Sequence, residues 1–94
     1  ATPLTAFVSP RPTPEAASAL ALEYRQTLVS YGAIILDGPP PVAGASVLQF
    51  FDTYEIVFSQ GRYLAGVHEA GSLEAAGKLA RQLAGHLEGG ELKR

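Results

Sequence analysis

Between positions 14 and 31, apolar side chains recur every three or four residues, which is the spacing of one face of an α-helix. Thr13 is suited to cap the start of this helix, Pro14 suits its first position, and Gly32 suits a left-handed end. The pattern predicts a helix over 14–31 with an apolar stripe formed by Ala17, Leu20, Ala21, Tyr24, Leu28 and Tyr31.

A second stretch with helical spacing follows Ser72, which is suited to cap a helix. Glu74 falls in the first turn, where its charge meets the positive end of the helix dipole. Gly89 and Gly90 end the pattern. We expect this helix to bury a face made of Leu73, Ala76, Leu79, Ala80, Leu83 and Leu87.

The stretch between the two predicted helices contains four short apolar runs, at 33–36, 47–52, 54–60 and 62–68. The prolines at 39–41 separate the first two runs, because a proline cannot donate to a strand ladder. Gly61 provides a tight turn between the last two, and such short connections make neighbouring strands antiparallel. The sequence therefore predicts an α+β fold: a four-stranded antiparallel sheet with two flanking amphipathic helices, in the order α-β-β-β-β-α.

Both faces of this predicted sheet carry apolar side chains. Successive residues of a strand point to opposite faces, so a strand with one wet face alternates apolar and polar positions. Here the strands are apolar at consecutive positions: Ile34 and Ile35, Phe50 and Phe51, Tyr63 and Leu64. Two arrangements satisfy the pattern. Either one helix covers each face, or both helices lie on one face and another chain covers the other.

Residues 1–13 contain three prolines and show neither helical nor strand periodicity. Proline favours an extended backbone, so we expect an extended, Pro-rich N-terminal arm, followed by a single domain over 14–94. One interpretation is a disordered leader. The other is an arm that contacts a partner through Leu4, Phe7 and Val8, because apolar side chains gain nothing on a solvated tail.

Composition restricts the kinds of partner. Only 17% of the 94 residues are charged while 47% are hydrophobic, and the net charge is −2. Soluble domains average about 25% charged residues, so the low value hints that apolar surface is buried against another chain. Nucleic-acid binding needs a positive field, which this sequence does not supply. We therefore expect a protein partner or a homodimer, and no nucleic acid.

The sequence says less about the cellular compartment. It contains no cysteine and no apolar run approaching the ~20 residues that span a bilayer, so we expect no membrane-spanning segment, although association with a membrane complex stays open. A first residue other than methionine fits a boundary chosen within a longer chain, or a mature end left by signal-peptide removal. We slightly favour an exported protein, periplasmic or extracellular, over a cytoplasmic one.

No pattern typical of catalysis or metal binding is found. His68-Glu69 begins like a zinc-protease motif, but the position of the second histidine is occupied by Ser72. His86 is explained by its place near the negative end of a helix. The acidic residues are scattered over turns and strand ends, at Asp37, Asp52, Glu55 and Glu69. The sequence therefore predicts no catalytic, cofactor-binding or metal-binding residues.

Arg62 and Tyr63 are further candidates for contact with a partner. They follow the predicted turn at Gly61, and arginine beside aromatic residues is common at the centre of protein interfaces. The alternative is that Tyr63 belongs to the core of its own domain.

One stretch resembles a known family. The segment 54–70 (YEIVFSQGRYLAGVHEA), with Gly61, Arg62 and Tyr63 at its turn, is followed by a helix rich in alanine and leucine. Residues 33–88 thereby resemble the C-terminal half of PsbP-like α/β sandwich domains, found in exported bacterial proteins of unknown function. The resemblance implies a non-enzymatic accessory module that docks on a larger assembly, and it transfers no site residues.

The sequence as a whole favours a non-enzymatic accessory or interaction module that docks on a larger assembly or associates with itself. The alternative is a small domain that binds a hydrophobic ligand, in a pocket lined by Tyr24, Phe50, Phe58 and Tyr63. An enzyme is the third and least favoured reading.

Overall fold

The computed structural model describes residues 5–36, 40, 42 and 44–89, with the side chains of 88 and 89 excluded. The two helices are α1 (Pro14–Ser30) and α2 (Leu73–Gly89). The strands, in chain order, are β1 (Thr5–Pro10), β2 (Ile34–Ile35), β3 (Ser46–Phe50), β4 (Thr53–Gln60) and β5 (Tyr63–Ala70).

The fold is α+β with an antiparallel sheet, as predicted, but the sheet has five strands and the prediction of four was wrong. The spatial order is β1-β5-β4-β3-β2, and every neighbouring pair is antiparallel. The additional strand lies in the stretch expected to form an arm outside the domain. Thr5 pairs with His68 and Pro10 with Tyr63, so this stretch belongs to the sheet. Pro10 is tolerated because β1 is an edge strand.

One helix covers each face of the sheet, which resolves the two arrangements left open above. On the first face α1 packs on a cluster that includes Leu48, Val57 and Leu64. On the second face α2 packs on a cluster that includes Ile56 and Phe58. The consecutive apolar positions of β4 and β5 therefore fill two cores within one chain, whereas Ile34, Ile35 and Phe51 are exposed.

The predicted signals at the ends of α1 are confirmed. The Thr13 hydroxyl accepts a hydrogen bond from the N–H of Ala16 at 3.1 Å, which satisfies one of the free donors of the first turn. Gly32 follows the helix with φ +109°, a left-handed value that glycine adopts easily. The predicted stripe is wrong at Tyr31, which is 69% exposed because it lies beyond the last helical turn.

The cap predicted at the start of α2 is also confirmed. Ser72 accepts a hydrogen bond from the N–H of Ala75 at 3.2 Å and so caps the first turn. Ala76 and Ala80 are fully buried, which lets the helix backbone approach the sheet closely. Leu73, expected on the buried face, is 43% exposed because it stands at the start of the helix.

The β4–β5 hairpin has a two-residue turn formed by Gly61 and Arg62. Gly61 has φ +57° and Arg62 does not have a positive φ, a combination that fits a type II′ turn. The prediction that Gly61 allows a tight turn is confirmed, whereas Arg62 belongs to the turn and not to a strand. Asp52, predicted as the last residue of a strand, likewise lies in the β3–β4 turn.

Candidate functional site

A β-bulge interrupts the pairing of β4 with β5 near one end of the sheet. Tyr54 pairs with Ala70 and Ile56 with Val67, so the single residue Glu55 stands opposite both His68 and Glu69. Glu69 has φ +57°, which is uncommon for a residue with a side chain. Bulges redirect the side chains of a strand and occur often beside functional sites.

The carboxylate of Glu55 holds this bulge in place. The side chain lies on the α1 face, and the residue is only 6% exposed. Its Oε1 atom accepts a hydrogen bond from Nδ1 of His68 at 2.6 Å, and its Oε2 atom accepts one from the backbone N–H of Glu69 at 2.9 Å. A buried carboxylate needs such partners, because desolvation without them is costly.

Tyr24 of α1 adds a third polar group above His68. Its hydroxyl oxygen lies 2.8 Å from Nε2 and 3.1 Å from Nδ1 of the ring. In the neutral ring the Nδ1 proton is directed at Glu55, which leaves Nε2 as the acceptor for the phenol. Burial raises the pKa of Tyr24, and the nearby negative charge of Glu55 raises that pKa further.

Phe7 of β1 completes the group, which we name the histidine cluster (Phe7, Tyr24, Glu55 and His68). The Phe7 ring stacks on the His68 ring with 4.5 Å between centroids, and on the Tyr24 ring at 5.8 Å. The cluster thus joins residues from β1, α1, β4 and β5. It fixes the edge strand and the first helix relative to the centre of the sheet.

The polar atoms of the histidine cluster are engaged with one another. Both carboxylate oxygens of Glu55 and both ring nitrogens of His68 have partners, and no unpartnered buried side-chain nitrogen or oxygen is found among the described residues. Within the same residues, no three metal-ligating side chains are grouped to hold an ion. A phenol with a raised pKa is a poor nucleophile. These contacts, together with the stacking of Phe7, give the cluster a positioning role between β1, α1 and the centre of the sheet.

The outer edge of β1 presents free backbone groups. The N–H of Arg11 donates to the carbonyl of Arg62 at 2.8 Å, and alternation along the strand turns Thr5, Phe7 and Ser9 toward β5 as well. Ala6 and Val8 therefore point outward, where no strand of the described chain lies. We call the N–H and C=O groups of these two residues the β1 edge.

The row of outward-pointing backbone N–H and C=O groups on β1 ends at Pro10. Proline has no N–H, and the carbonyl of Pro10 accepts a hydrogen bond from Nε of Arg11 at 2.9 Å. In the described part of the chain, the β1 edge thus consists of the donors and acceptors of Ala6 and Val8, centred on Phe7.

A groove runs along α1 beside this edge. It encloses about 330 Å³, and we call it the α1 groove; its lining residues are Leu20, Glu23, Tyr24, Thr27, Leu28 and Tyr31. The opposite flank of α1, which includes Ser18 and Arg25, faces β3 and β4. Successive residues of a helix are rotated by about 100° about its axis, so the groove residues lie on the flank of α1 opposite Ser18 and Arg25, toward β1. The stacking of Phe7 on Tyr24 supports this placement.

The structure brings together some of the residues predicted to contact a partner. Val8, Arg62 and Tyr63 share the corner formed by β1 and β5: Val8 is 39% exposed, and the guanidinium of Arg62 lies 5.3 Å from the centre of the Tyr63 ring. Phe7 lies on the opposite face, inside the histidine cluster. Leu4 lies outside the described residues. Tyr63 also packs against the core beneath α2.

The four aromatic residues proposed to line a ligand pocket do not meet. Tyr24 and Phe50 lie on the α1 face, whereas Phe58 and Tyr63 lie on the α2 face. A different, open cleft of about 580 Å³ is found where the sheet ends below α1. It is lined by Thr5, Leu28, Phe50, Thr53, Glu55, His68 and Glu69.

Sequence reasoning did not find the histidine cluster. The sequence places His68 at the end of a predicted strand and Glu55 among acids scattered over turns and strand ends, and neither placement predicts that the two side chains are buried together. Gly66 carried a usable signal, since a glycine inside a strand often marks the close approach of another group. A Cβ atom there would meet the Ile56 carbonyl and would stand 2.6 Å from the Phe7 ring.

No protein-family model matches the chain, and no curated protein or solved structure is significantly similar to it. Among the described residues, neither helix combines the length and apolarity needed to cross a bilayer.

Proposed function

We propose that this chain is a non-enzymatic interaction module whose β1 edge binds an extended strand of a protein. The observation that carries the proposal is the free backbone of Ala6 and Val8 beside an apolar groove. Added strands gain affinity from backbone hydrogen bonds, and pockets for alternate side chains give them specificity.

The α1 groove can provide that specificity. Side chains of an added strand would alternate between the α1 face and the α2 face, as those of β1 do. On the α1 face they would enter the groove between Leu20 and Leu28, with Glu23 at its rim. On the α2 face they would lie beside Val8, whose side chain is partly exposed.

The histidine cluster also supports strand binding at the β1 edge. By stacking on both Tyr24 and His68, Phe7 holds β1 at a fixed distance from α1, so the edge and the groove keep a constant separation. The low charged fraction of the chain and the resemblance of residues 33–88 to PsbP-like domains also fit a docking role. The raised pKa of Tyr24 weighs against its phenol acting as a nucleophile beside His68.

Selection from a phage library of random seven-residue peptides tests the proposal, with the domain immobilised sparsely so that copies do not meet. We expect enrichment of peptides rich in β-branched residues. Val8→Pro removes an outward N–H that β5 does not use, and it should abolish the enrichment. Val8→Thr keeps both the N–H and the shape of the side chain, and should retain it. Enrichment that survives Val8→Pro would reject the β1 edge as the binding surface.

A second candidate function is the binding of a small, largely apolar ligand in the 580 Å³ cleft. The specific observation is that Leu28 and Phe50 line this cleft beside the polar groups of Glu55 and His68. Titration with short aromatic alcohols, followed by the amide chemical shifts of Thr53 and Glu69, tests it. Shifts confined to residues far from the cleft would exclude this candidate.

A further inference from the structure

We infer that the strand received by the β1 edge is β1 of a second copy of this chain, paired antiparallel about a twofold axis that passes beside Phe7. The inference rests on the proposed function and names its partner. It joins two sheets edge to edge into one continuous sheet of twice the width.

The hydrogen-bonding groups of the edge are self-complementary. Ala6 and Val8 are the outward residues, and they stand at equal distances on either side of Phe7. In an antiparallel pair centred on Phe7, Ala6 of one copy faces Val8 of the other, and each such pair exchanges two backbone hydrogen bonds. Phe7 then faces its own copy at a position without hydrogen bonds, where side chains come closest. A twofold interface uses the same patch on both copies, as this arrangement requires.

The same operation sets the two α1 grooves on either side of the joined strands. Each groove lies on the flank of α1 that is turned toward β1, where Tyr24 stacks on Phe7. The two Phe7 rings stand between the grooves at the axis. The symmetric contact thus removes an unpaired strand edge of each copy from water.

Charge along the edge favours the antiparallel orientation. Arg11 and Arg62 lie where β1 ends, and the exposed carboxylate of Glu69 lies beside Thr5, where β1 begins. An antiparallel pair brings the basic end of one copy toward the acidic end of the other. A parallel pair would place like charges together, which disfavours it.

Two measurements test the inference on the full chain. Sedimentation equilibrium from micromolar to millimolar concentration should show a reversible dimer. Val8→Pro should raise its dissociation constant by about twentyfold, because two symmetry-related backbone hydrogen bonds are lost. Val8→Thr should change it little. A chain that stays monomeric throughout would overturn the inference.

Cross-linking tests the register of the β1–β1 pair without a proline substitution. The chain contains no cysteine, so single cysteines introduced as Ala6→Cys and Val8→Cys have no competing thiols. When equal amounts of the two variants are mixed under mild oxidation, with a longer tag on one of them, the mixed disulfide should exceed the sum of the two like-with-like products, which is the amount that random pairing gives. A mixed product that does not exceed this sum would reject the axis at Phe7.

The outcomes separate this inference from the proposed function. If the chain is monomeric but still enriches peptides in a way that depends on Val8, the proposed interaction module stands and a second copy is not its partner. A dimer that is unaffected by Val8→Pro associates through another surface, and that result overturns the inference as well.

Discussion

The ring of Phe7 lies over Gly66, its antiparallel neighbour on β5, and fills the space that a side chain at that position would need. A Cβ atom at Gly66 would stand 2.6 Å from the ring and would also meet the backbone carbonyl of Ile56. A backbone carbonyl cannot swing away as a flexible side chain can. The stacking of Phe7 on His68 therefore depends on glycine at this position.

Gly66→Ala should consequently destabilise the domain by about 1–3 kcal/mol, the usual range for an overpacked core site. Chemical denaturation measures the free energy of unfolding. Gly85→Ala is a matched control, because a Cβ atom at Gly85 meets nothing within 4 Å. There alanine should stabilise α2 by up to about 1 kcal/mol. Equal effects at the two glycines would contradict the close approach of Phe7.

Glu55→Gln should lower the free energy of unfolding by about 1–3 kcal/mol, because a buried donor loses its acceptor. An amide has an NH2 group in place of one carboxylate oxygen, so either Nδ1 of His68 or the N–H of Glu69 then faces a donor. Glu74→Gln, on the exposed first turn of α2, is the control and should stay within about 0.5 kcal/mol. Faster amide exchange at Glu69 in the Glu55→Gln variant would locate the loss at the bulge.

The raised pKa of Tyr24 predicts a loss of stability in alkali. The unfolded chain releases the phenol proton near its ordinary pKa of about 10, whereas the folded chain retains it to higher pH. The stabilising contribution is therefore complete below about pH 10 and disappears as the pH rises through the folded value. Denaturation curves recorded across this range should fall more steeply for the natural chain than for Tyr24→Phe. Parallel curves would show that Tyr24 does not contribute to the pH dependence.

Gly61→Val should destabilise the domain by about 1 kcal/mol or more, since a β-branched residue is strained at φ +57°. The cost comes from the backbone alone, because no atom lies within 4 Å of a Cβ at this position. Gly61→Asn should cost less, as asparagine tolerates left-handed conformations better. Thermal and chemical denaturation of both variants provide the measurement. A neutral Gly61→Val would place the β4–β5 turn elsewhere.

Proline substitutions along β1 should alternate in their effect on folding. The N–H of Ser9 points toward β5, so Ser9→Pro removes a ladder hydrogen bond, whereas the N–H of Val8 points outward. Ser9→Pro should therefore destabilise the domain by at least about 1 kcal/mol more than Val8→Pro. The melting temperatures of the two variants measure this difference in stability. The reverse order would mean that β1 presents its other side to β5.

Local signals in the sequence predicted much of this fold. The ends of α1 depend on Thr13 and Gly32, and the last hairpin depends on Gly61, so neighbouring residues determine these elements. β1 was missed because its prolines suggested an arm, and because its partner β5 lies near the other end of the chain. Nothing local indicates such a distant pairing.

The histidine cluster was missed for a related reason. Glu55 lies opposite His68 in the register that runs back from the Gly61 turn, and the β-bulge adds the N–H of Glu69 to the same carboxylate. In sequence, an acid near the start of a strand and a histidine near the end of the next resemble solvated positions. Their burial depends on Tyr24 and Phe7, which come from a helix and a strand that pack only in the complete fold.

The pairing of the first strand with the last has a consequence for the order in which the domain assembles. The hairpin of β4 and β5 closes through two residues, whereas β1 can join β5 only after α1 and the three strands between them have been made. Long closures carry a larger entropic cost, so β1 docks late in folding and detaches early in local unfolding. When it detaches, it exposes a full side of β5 that an identical strand from a neighbouring molecule can occupy. Exchange of β1 between copies is therefore the misassembly to which this topology is most exposed.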